Sequence, residues 1–167
     1  TAEWICATFE ETTLPDASQK WVATAQALHW ANLETAQPEI RRILVPGGKL
    51  TALWNERHND ASSILMRTEE AISRHIPDFD RDYRRRDWNR EMTSTGDFTQ
   101  VDFDREFHHV RMSRERYLNL WRSHNQLNNV AGPERFATFL NEVEDYLKTE
   151  NLDEFDVPYV CEAWTAS

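Results

Sequence analysis

Residues 21–55 read WVATAQALHWANLETAQPEIRRILVPGGKLTALWN, and this stretch decides the fold prediction. The run Trp21–Gln26 is almost entirely apolar or small, which is typical of a strand buried on both faces of a parallel sheet. Pro46-Gly47-Gly48 stops the helical pattern that follows, and Lys49–Asn55 predicts the next strand. Strand, helix and strand in this order predict a βαβ unit, and therefore an α/β fold with a mostly parallel sheet.

The predicted helix between these two strands carries apolar residues at helical spacing from Leu33 to Leu44. Pro38 lies inside that pattern, and proline is tolerated only in the first turn of a helix. We therefore expect the helix to start near Gln37 or to be kinked at Pro38.

The rest of the chain carries similar signals on both sides of this unit. They predict strands at Trp4–Thr8, Phe98–Phe107 and Val157–Trp164. They also predict a helix that Asp60 or Ser62 caps and that runs to about His75, a short helix at Trp88–Thr95, a helix that Ser113 caps and a helix from Pro133. The segment Asp80–Asp87 alternates in charge and predicts a solvated loop. Because no linker or repeat interrupts the pattern, we expect a single domain over residues 1–167.

Composition excludes several classes of function. The 167 residues include 19 Lys and Arg against 29 Asp and Glu, a net charge of -10 that argues against nucleic acid or an anionic membrane as a partner. No apolar run approaches the ~18 residues that a transmembrane helix needs. The two cysteines, Cys6 and Cys161, form neither a disulfide framework nor a zinc motif, so we expect a cytoplasmic protein.

Glycine and histidine usage narrows the ligand classes further. The 4 glycines include no pair at GxG spacing, so neither a dinucleotide fingerprint nor a phosphate loop is present in the chain. His108 and His109 are adjacent on a predicted strand and point to opposite faces, so we expect no metal site.

Three motifs in order carry a family resemblance: Ala25–Trp30 (AQALHW), Glu39–Gly48 (EIRRILVPGG) and Leu53–Asn55 (LWN). With these motifs the sequence resembles class I S-adenosylmethionine-dependent methyltransferases, and within them the subgroup that includes the trans-aconitate methyltransferases. Glu10–Ser18 resembles the segment after the family's third strand, and the weaker motifs Leu120–Ser123 and Val157–Tyr159 also follow the family's order. The likeness therefore spans nearly the whole chain.

This resemblance implies a truncated Rossmann-like sheet. The family's strand order is 3-2-1-4-5-7-6, with an antiparallel last strand and a helical cap between the last two strands. Its first two strands and Gly-rich cofactor loop precede the part that resembles this chain, so we expect this fragment alone to be inactive. Strand Trp21–Gln26 would then lack a neighbour, and either Trp4–Thr8 pairs with it or two chains pair across it as a homodimer.

The resemblance also implies S-adenosylmethionine as cofactor and suggests where it binds. In the family, the segment matched by Phe9 and Glu10 packs on and bonds to the adenine. The segment matched by Ala25 and Gln26 lies beside the methionine moiety at the carboxyl end of a strand. The alternative for Phe9 and Glu10 is a core aromatic residue and a solvated turn carboxylate.

Acceptor-side candidates follow the next strand ends, and the implied acceptor is a small molecule. His29 is a candidate general base, because histidine titrates near neutral pH. Trp30, Trp54 and Asn55 would wall the acceptor pocket, and Arg122 would bind an acidic acceptor. Each residue has a purely structural alternative, namely packing, a cap or an exposed ion pair, and Arg57 and His58 are weaker candidates.

The alternative interpretation of the whole chain is a non-catalytic remnant that serves as a binding or dimerisation module.

Overall fold

The computed structural model describes residues 2–81 and 86–167, so residues 82–85 of the loop expected at Asp80–Asp87 lie outside the description. The strands are β1 (Gln19–Ala25), β2 (Leu44–Arg57), β3 (Val101–Ser113) and β4 (Glu154–Ala166). The helices are α1 (Leu33–Ile43), α2 (Ser63–His75), α3 (Trp88–Met92), α4 (Arg114–Arg122) and α5 (Asn125–Thr149). Short 3₁₀ turns cover Leu28–Trp30 and Asn59–Ala61.

The described strands form a four-stranded sheet in the order β1-β2-β4-β3. β1 runs parallel to β2, and Val22 lies opposite Leu50 in the register. The β1–α1–β2 segment is therefore the βαβ unit that the sequence predicts.

The last strand, β4, runs antiparallel to both of its neighbours. As residue numbers increase along β2 or β3, the numbers of the β4 residues that they contact decrease. The contacts that show this are Thr51 with Thr165 and His58 with Pro158 for β2, and Arg105 with Glu162 and His108 with Tyr159 for β3. The predicted fold class, an α/β sheet with an antiparallel last strand, is confirmed.

The chain divides into two compact units. The first unit comprises Thr1–Asn55, Asp82–Glu106 and Cys161–Ser167, and the second comprises Glu56–Arg81 and Phe107–Val160. The expectation of a single domain stays a prediction.

In the first unit, α1 begins earlier than the proline suggested. Asn32 caps it, because its side-chain oxygen accepts a hydrogen bond from the Glu34 N–H at 3.2 Å. The helix therefore starts at Leu33, and Pro38 lies in its second turn, where a proline removes one helical hydrogen bond. Burial of one apolar face outweighs that loss. The core of this unit consists of Leu28, Leu33, Ile40, Leu44, Leu50, Ala52, Trp54, Trp88, Met92, Phe98 and Ala166.

Two predictions about the first unit are wrong. Residues 2–8 form no strand, and Trp4 is 92% exposed, so Trp4–Thr8 does not pair with β1. β1 is an edge strand of the sheet and is not buried on both faces. Trp21 is 61% exposed, and Thr24 is the one fully buried residue of β1. The physical reason is that only the face with Val22 and Thr24 is covered, whereas Trp21, Ala23 and Ala25 on the other face are exposed.

The second unit contains α2, α4 and α5, and the serines predicted as caps have that role. The Ser62 hydroxyl accepts from the Leu65 N–H and the Ser113 hydroxyl from the Arg116 N–H. Gly132 interrupts α5 with φ 69° and ψ 168°, so a helical segment begins at Pro133, as predicted. The core consists of Ile64, Leu65, Ala71, Ile72, Ile76, Met112, Tyr117, Leu118, Trp121, Leu127, Ala131, Phe139, Val143, Leu147, Phe155, Val157 and Tyr159.

Candidate cofactor-binding cavity

The first unit contains a cavity of about 600 Å³ beside the open edge of β1. Four elements form it: the irregular segment 7–14, β1, the 3₁₀ turn Leu28–Trp30 and the inner face of α1. The residues that line it are Ala7, Thr8, Phe9, Glu10, Thr12, Leu14, Gln19, Trp21, Val22, Ala23, Thr24, Trp30, Ile40 and Ile43. Its size and mainly apolar lining are typical of small-molecule sites.

Glu10 contributes a fixed negative charge to this cavity. Its Oε1 accepts a hydrogen bond from the backbone N–H of Asn32 at 2.9 Å. This bond lowers the pKa of Glu10 below its usual value, because the bond favours the charged carboxylate. Phe9 precedes it and is half-buried. The structure thus brings the two residues predicted for the adenine side to one cavity.

Thr24 adds a polar group that the sequence analysis missed. Its side-chain oxygen is buried and makes no hydrogen bond within the described part of the chain. A buried hydroxyl without a partner is uncommon in proteins and suits a ligand or a water molecule. The signal that could have found it is a single polar position inside an otherwise apolar strand.

A hydrogen-bonded network around Glu39 holds segment 12–16 against α1. Glu39 accepts from the Thr12 N–H at 2.8 Å, from the Thr12 hydroxyl at 2.6 Å and from Arg42 Nε at 2.7 Å. Arg42 also donates to the Leu14 carbonyl at 2.8 Å and pairs with Asp16. Arg42 first and the Thr12 hydroxyl second lower the pKa of Glu39 to about 2. The network therefore fixes one wall of the cavity.

The residues predicted beside the methionine moiety lie at the carboxyl end of β1 and do not line the cavity. Ala25 is exposed at the last position of the strand. Gln26 has a positive φ of 54°, and its backbone N–H donates to the Leu53 carbonyl at 2.9 Å. Its side-chain amide donates to the Asn55 carbonyl at 2.9 Å. Gln26 therefore ties the ends of two parallel strands together, and the Asn55 side chain is exposed there.

His29 and Trp30 share the 3₁₀ turn after β1, and their rings lie 4.7 Å apart. His29 is buried, and its backbone carbonyl accepts a hydrogen bond from Arg86 at 3.2 Å. Trp30 is exposed and lines the cavity. Of the acceptor-side candidates, Trp30 is therefore the one that the cavity contains.

Trp54 and Arg122 are not among the residues that line the cavity. The Trp54 ring is buried and stacks on Trp88 with their centres 4.1 Å apart, so it packs in the core of the first unit. Arg122 is exposed near the end of α4 in the second unit, where it donates to Asn119 Oδ1 at 2.7 Å.

The cavity suits one half of S-adenosylmethionine better than the other. Its apolar walls fit an adenine, and Glu10 and Thr24 offer hydrogen-bonding groups for a nucleoside. No lysine or arginine is among the described lining residues, so no cation there matches a carboxylate. Within residues 2–81 and 86–167, no group of three His, Cys, Asp or Glu side chains could hold a metal ion. No helix of the described chain is long and apolar enough to cross a bilayer.

Known methyltransferase sequences match the first part of this chain. Residues 1–52 match the family described as Methyltransferase domain. An uncharacterized methyltransferase of Mycobacterium tuberculosis (strain H37Rv) is 48% identical over 50 residues, which cover 30% of this chain and 21% of that protein. A methyltransferase-like protein of Schizosaccharomyces pombe is 37% identical over 65 residues, 39% of this chain and 25% of that protein.

The chain thus spans only about a fifth to a quarter of the curated methyltransferases that it matches. Solved structures extend the likeness over nearly all of it. A candidate type II methyltransferase from Anaeromyxobacter dehalogenans covers 96% of this chain, with a TM-score of 0.56 and 16% identity, and the match spans 68% of that protein. A candidate methyltransferase from an antibiotic biosynthesis pathway of Anabaena variabilis has a TM-score of 0.50 and 14% identity, covering 96% and 72% of the two chains.

At such low identities the solved structures show the fold alone. The resemblance to class I methyltransferases is confirmed, whereas the trans-aconitate subgroup stays a prediction.

Proposed function

We propose that this chain is of the S-adenosylmethionine-dependent methyltransferase type and acts on a small-molecule acceptor. One observation carries the proposal: all the residues that line the 600 Å³ cavity fall between positions 7 and 43, inside the segment that matches the methyltransferase domain. The same residues are therefore both the recognisable part of the family and the wall of a ligand-sized cavity.

The cofactor side of the proposal concerns four residues. When bound, S-adenosylmethionine would supply a methyl group activated by its positive sulfur. Phe9 would pack on the adenine, and the Glu10 carboxylate would accept a hydrogen bond from the nucleoside. Ala25 and Gln26 would lie beside the methionine moiety, where Gln26 is held by Leu53 and Asn55. The carboxyl ends of parallel strands are the usual ligand edge of such sheets.

For the acceptor, we assign His29 the role of general base. It would remove a proton from the acceptor oxygen or nitrogen, which makes that atom a better nucleophile. Trp30 would restrict the acceptor, and Asn55 would donate a hydrogen bond to it. Trp54 is packed in the core and Arg122 belongs to the second unit, so the proposal gives neither a contact with the acceptor. Holding the acceptor in line is the remaining contribution of the protein.

The cofactor affinity of this chain alone tests the proposal. Because the sequence has no GxG pair and the described lining offers no cation, we expect a Kd for S-adenosylmethionine near millimolar, or ~4 kcal/mol. Titration calorimetry on the 167-residue chain should detect this weak binding. Glu10→Gln should weaken it several-fold, while Glu11→Gln, at an exposed neighbour, should leave it unchanged.

Two results would count against it. Micromolar binding would contradict the expected weakness. A Glu10→Gln variant that binds as well as the parent chain would remove this cavity from the cofactor proposal.

A second candidate function is a non-catalytic dimerisation module. The observation that favours it is the open edge of β1, where Trp21 is largely exposed and the cavity runs alongside the strand. An apolar strand edge of this kind pairs readily with another chain. Absence of cofactor binding together with a stable dimer would favour this candidate.

A further inference from the structure

Residues 2–6 carry apolar side chains that lie outside both cores. Trp4 is 92% exposed, Ile5 is 47% exposed, and Cys6 is exposed as well. Aromatic and β-branched residues are typical of strands, yet this segment forms no strand. Because large apolar side chains gain free energy when they leave water, the segment favours a surface on which it can be buried.

The chain that follows this segment is anchored in the first unit. The Glu10 carboxylate accepts a hydrogen bond from the Asn32 N–H at 2.9 Å. The Thr12 N–H donates to Glu39 at 2.8 Å. These bonds hold residues 10–12 against α1 and its cap. Residues 2–6 therefore extend from a fixed point, unpaired with β1 of their own chain.

β1 offers an open edge of matching character. The Gln26 N–H bonds the Leu53 carbonyl of β2, and backbone groups alternate sides along a strand. Those of Trp21 and Ala23 therefore point away from β2. The indole N–H of Trp21 donates to the Thr51 hydroxyl at 2.9 Å, which holds this exposed ring beside the edge. Unpaired backbone groups next to an apolar ring suit the addition of a strand.

The charges of the two segments are complementary. Glu3 is the one charged residue in positions 2–8, and Lys20 is the one charged residue of β1. Both side chains are exposed. In a parallel register that places Glu3 beside Lys20, Trp4 lies beside Trp21, and opposite charges and aromatic pairs side by side both stabilise a sheet.

We propose that Trp4–Cys6 of a second copy adds a parallel strand to the open edge of β1, and that the exchange is reciprocal. The inference rests on the proposed dimerisation at this edge and names the segment that occupies it. Reciprocal exchange closes a two-fold dimer, because each copy supplies one segment and receives one. Covering Trp4, Ile5 and Trp21 in both copies reaches the roughly 1,000 Å² that a specific interface needs.

The thiol of Cys6 reports the exchange in the full 167-residue chain. Cys161→Ser leaves Cys6 as the single cysteine. In dilute, monomeric chain Cys6 should react with dithiobisnitrobenzoate as an exposed thiol does. The reaction should slow at least fivefold as light scattering shows the dimer forming. A rate that stays the same in monomer and dimer would overturn the inference.

A second cysteine tests the register. In the Cys161→Ser background, Ala23→Cys should let a short bis-maleimide link Cys6 of one chain to position 23 of the other. Mixing ¹⁵N-labelled with unlabelled chains identifies interchain links, since these join a labelled peptide to an unlabelled one. Links between position 23 of both chains would show the two β1 edges facing each other directly, which contradicts the proposed exchange.

Variants test the two side-chain contacts. Trp4→Ser should raise the dimer dissociation constant at least tenfold, whereas Phe107→Ser, at an exposed aromatic position of β3, should dimerise as the parent chain does. Lys20→Glu should also weaken the dimer at least tenfold, because it creates a repulsion that occurs twice. Adding Glu3→Lys to Lys20→Glu should restore the parent value within threefold.

The outcomes separate this inference from the proposals on which it depends. A Trp4→Ser variant that dimerises as the parent does, or a charge reversal that restores nothing, would overturn the exchange and leave dimerisation in place. A monomeric parent chain would overturn both. These measurements contain no cofactor, so they do not bear on S-adenosylmethionine binding.

Discussion

Glu39 is the residue that fixes the wall of the cavity, and its carboxylate should make stability depend on pH. Its pKa is about 2 in the folded chain, against a usual value of 4.5, because Arg42 and Thr12 bond the charged form. A carboxylate with a depressed pKa stabilises the fold fully above its unfolded pKa and loses that effect as pH falls toward the folded pKa. The stabilisation should therefore fade between pH 4.5 and pH 2.

Replacement of this side chain tests the prediction. Glu39→Gln should lower the free energy of unfolding by about 1–3 kcal/mol at pH 7, since hydrogen bonds to a charged group are lost. The difference from the parent chain should shrink as pH falls below 4.5, as measured by urea unfolding at several pH values. Glu34→Gln, at an exposed position of α1, is the control and should have little effect. A Glu39→Gln penalty of equal size at pH 3 and pH 7 would be inconsistent with this assignment.

The proposed role of His29 as general base can be tested by enzyme kinetics. In an active methyltransferase that contains this chain, His29→Ala should lower turnover by about 10²–10⁴-fold if the imidazole is the base. His109→Ala, which changes an exposed histidine of β3, is the control. A loss of less than threefold in His29→Ala would leave His29 with a packing role only.

At this scale the sequence predicted part of the candidate site. Motif resemblance pointed to Phe9, Glu10 and Trp30, and all three line the cavity. It could not predict that Trp54 stacks on Trp88, because that contact joins residues 34 positions apart whose pairing depends on the tertiary fold. The sequence makes Arg57 only a weaker candidate, since its stacking on Trp121 is visible only in three dimensions.

Among the elements, α5 contains the feature that gives the sharpest test. Gly132 has φ 69° and ψ 168°, a backbone region that is essentially restricted to glycine. A Cβ atom at this position would meet nothing within 4 Å, so any cost of Gly132→Ala comes from the backbone alone. We expect a loss of about 1–3 kcal/mol in the free energy of unfolding, measured by chemical denaturation.

The control for that element is Asn129→Ala, at an exposed helical position just before the break. Alanine favours helix more than asparagine does, so this variant should be neutral or slightly stabilising. If Gly132→Ala were also neutral, the break between the two helical segments would not require the glycine conformation.

The elements that the sequence predicted well are those with local signals. Ser62 and Ser113 cap α2 and α4, and the apolar face of α2 is buried as its spacing predicts. The failures concern information that is not local. Residues 2–8 resemble a strand, yet a strand needs a partner edge, and α1 crosses Pro38 because packing of its apolar face outweighs one lost hydrogen bond.

For the whole molecule, the open edge of β1 predicts self-association. The Gln26 N–H points to β2, where it bonds the Leu53 carbonyl. Because backbone groups alternate sides along a strand, those of Ala23 point away from β2, toward the open edge. Light scattering should therefore give about twice the chain mass of 19.7 kDa.

A proline in the open edge tests this prediction. Ala23→Pro should give a folded monomer, since proline removes a donor from the open edge and leaves the bonds to β2 in place. Met66→Lys removes exposed apolar surface on α2 and should stay dimeric. A monomeric parent chain would contradict the prediction, and a dimeric Ala23→Pro variant would place the contact elsewhere.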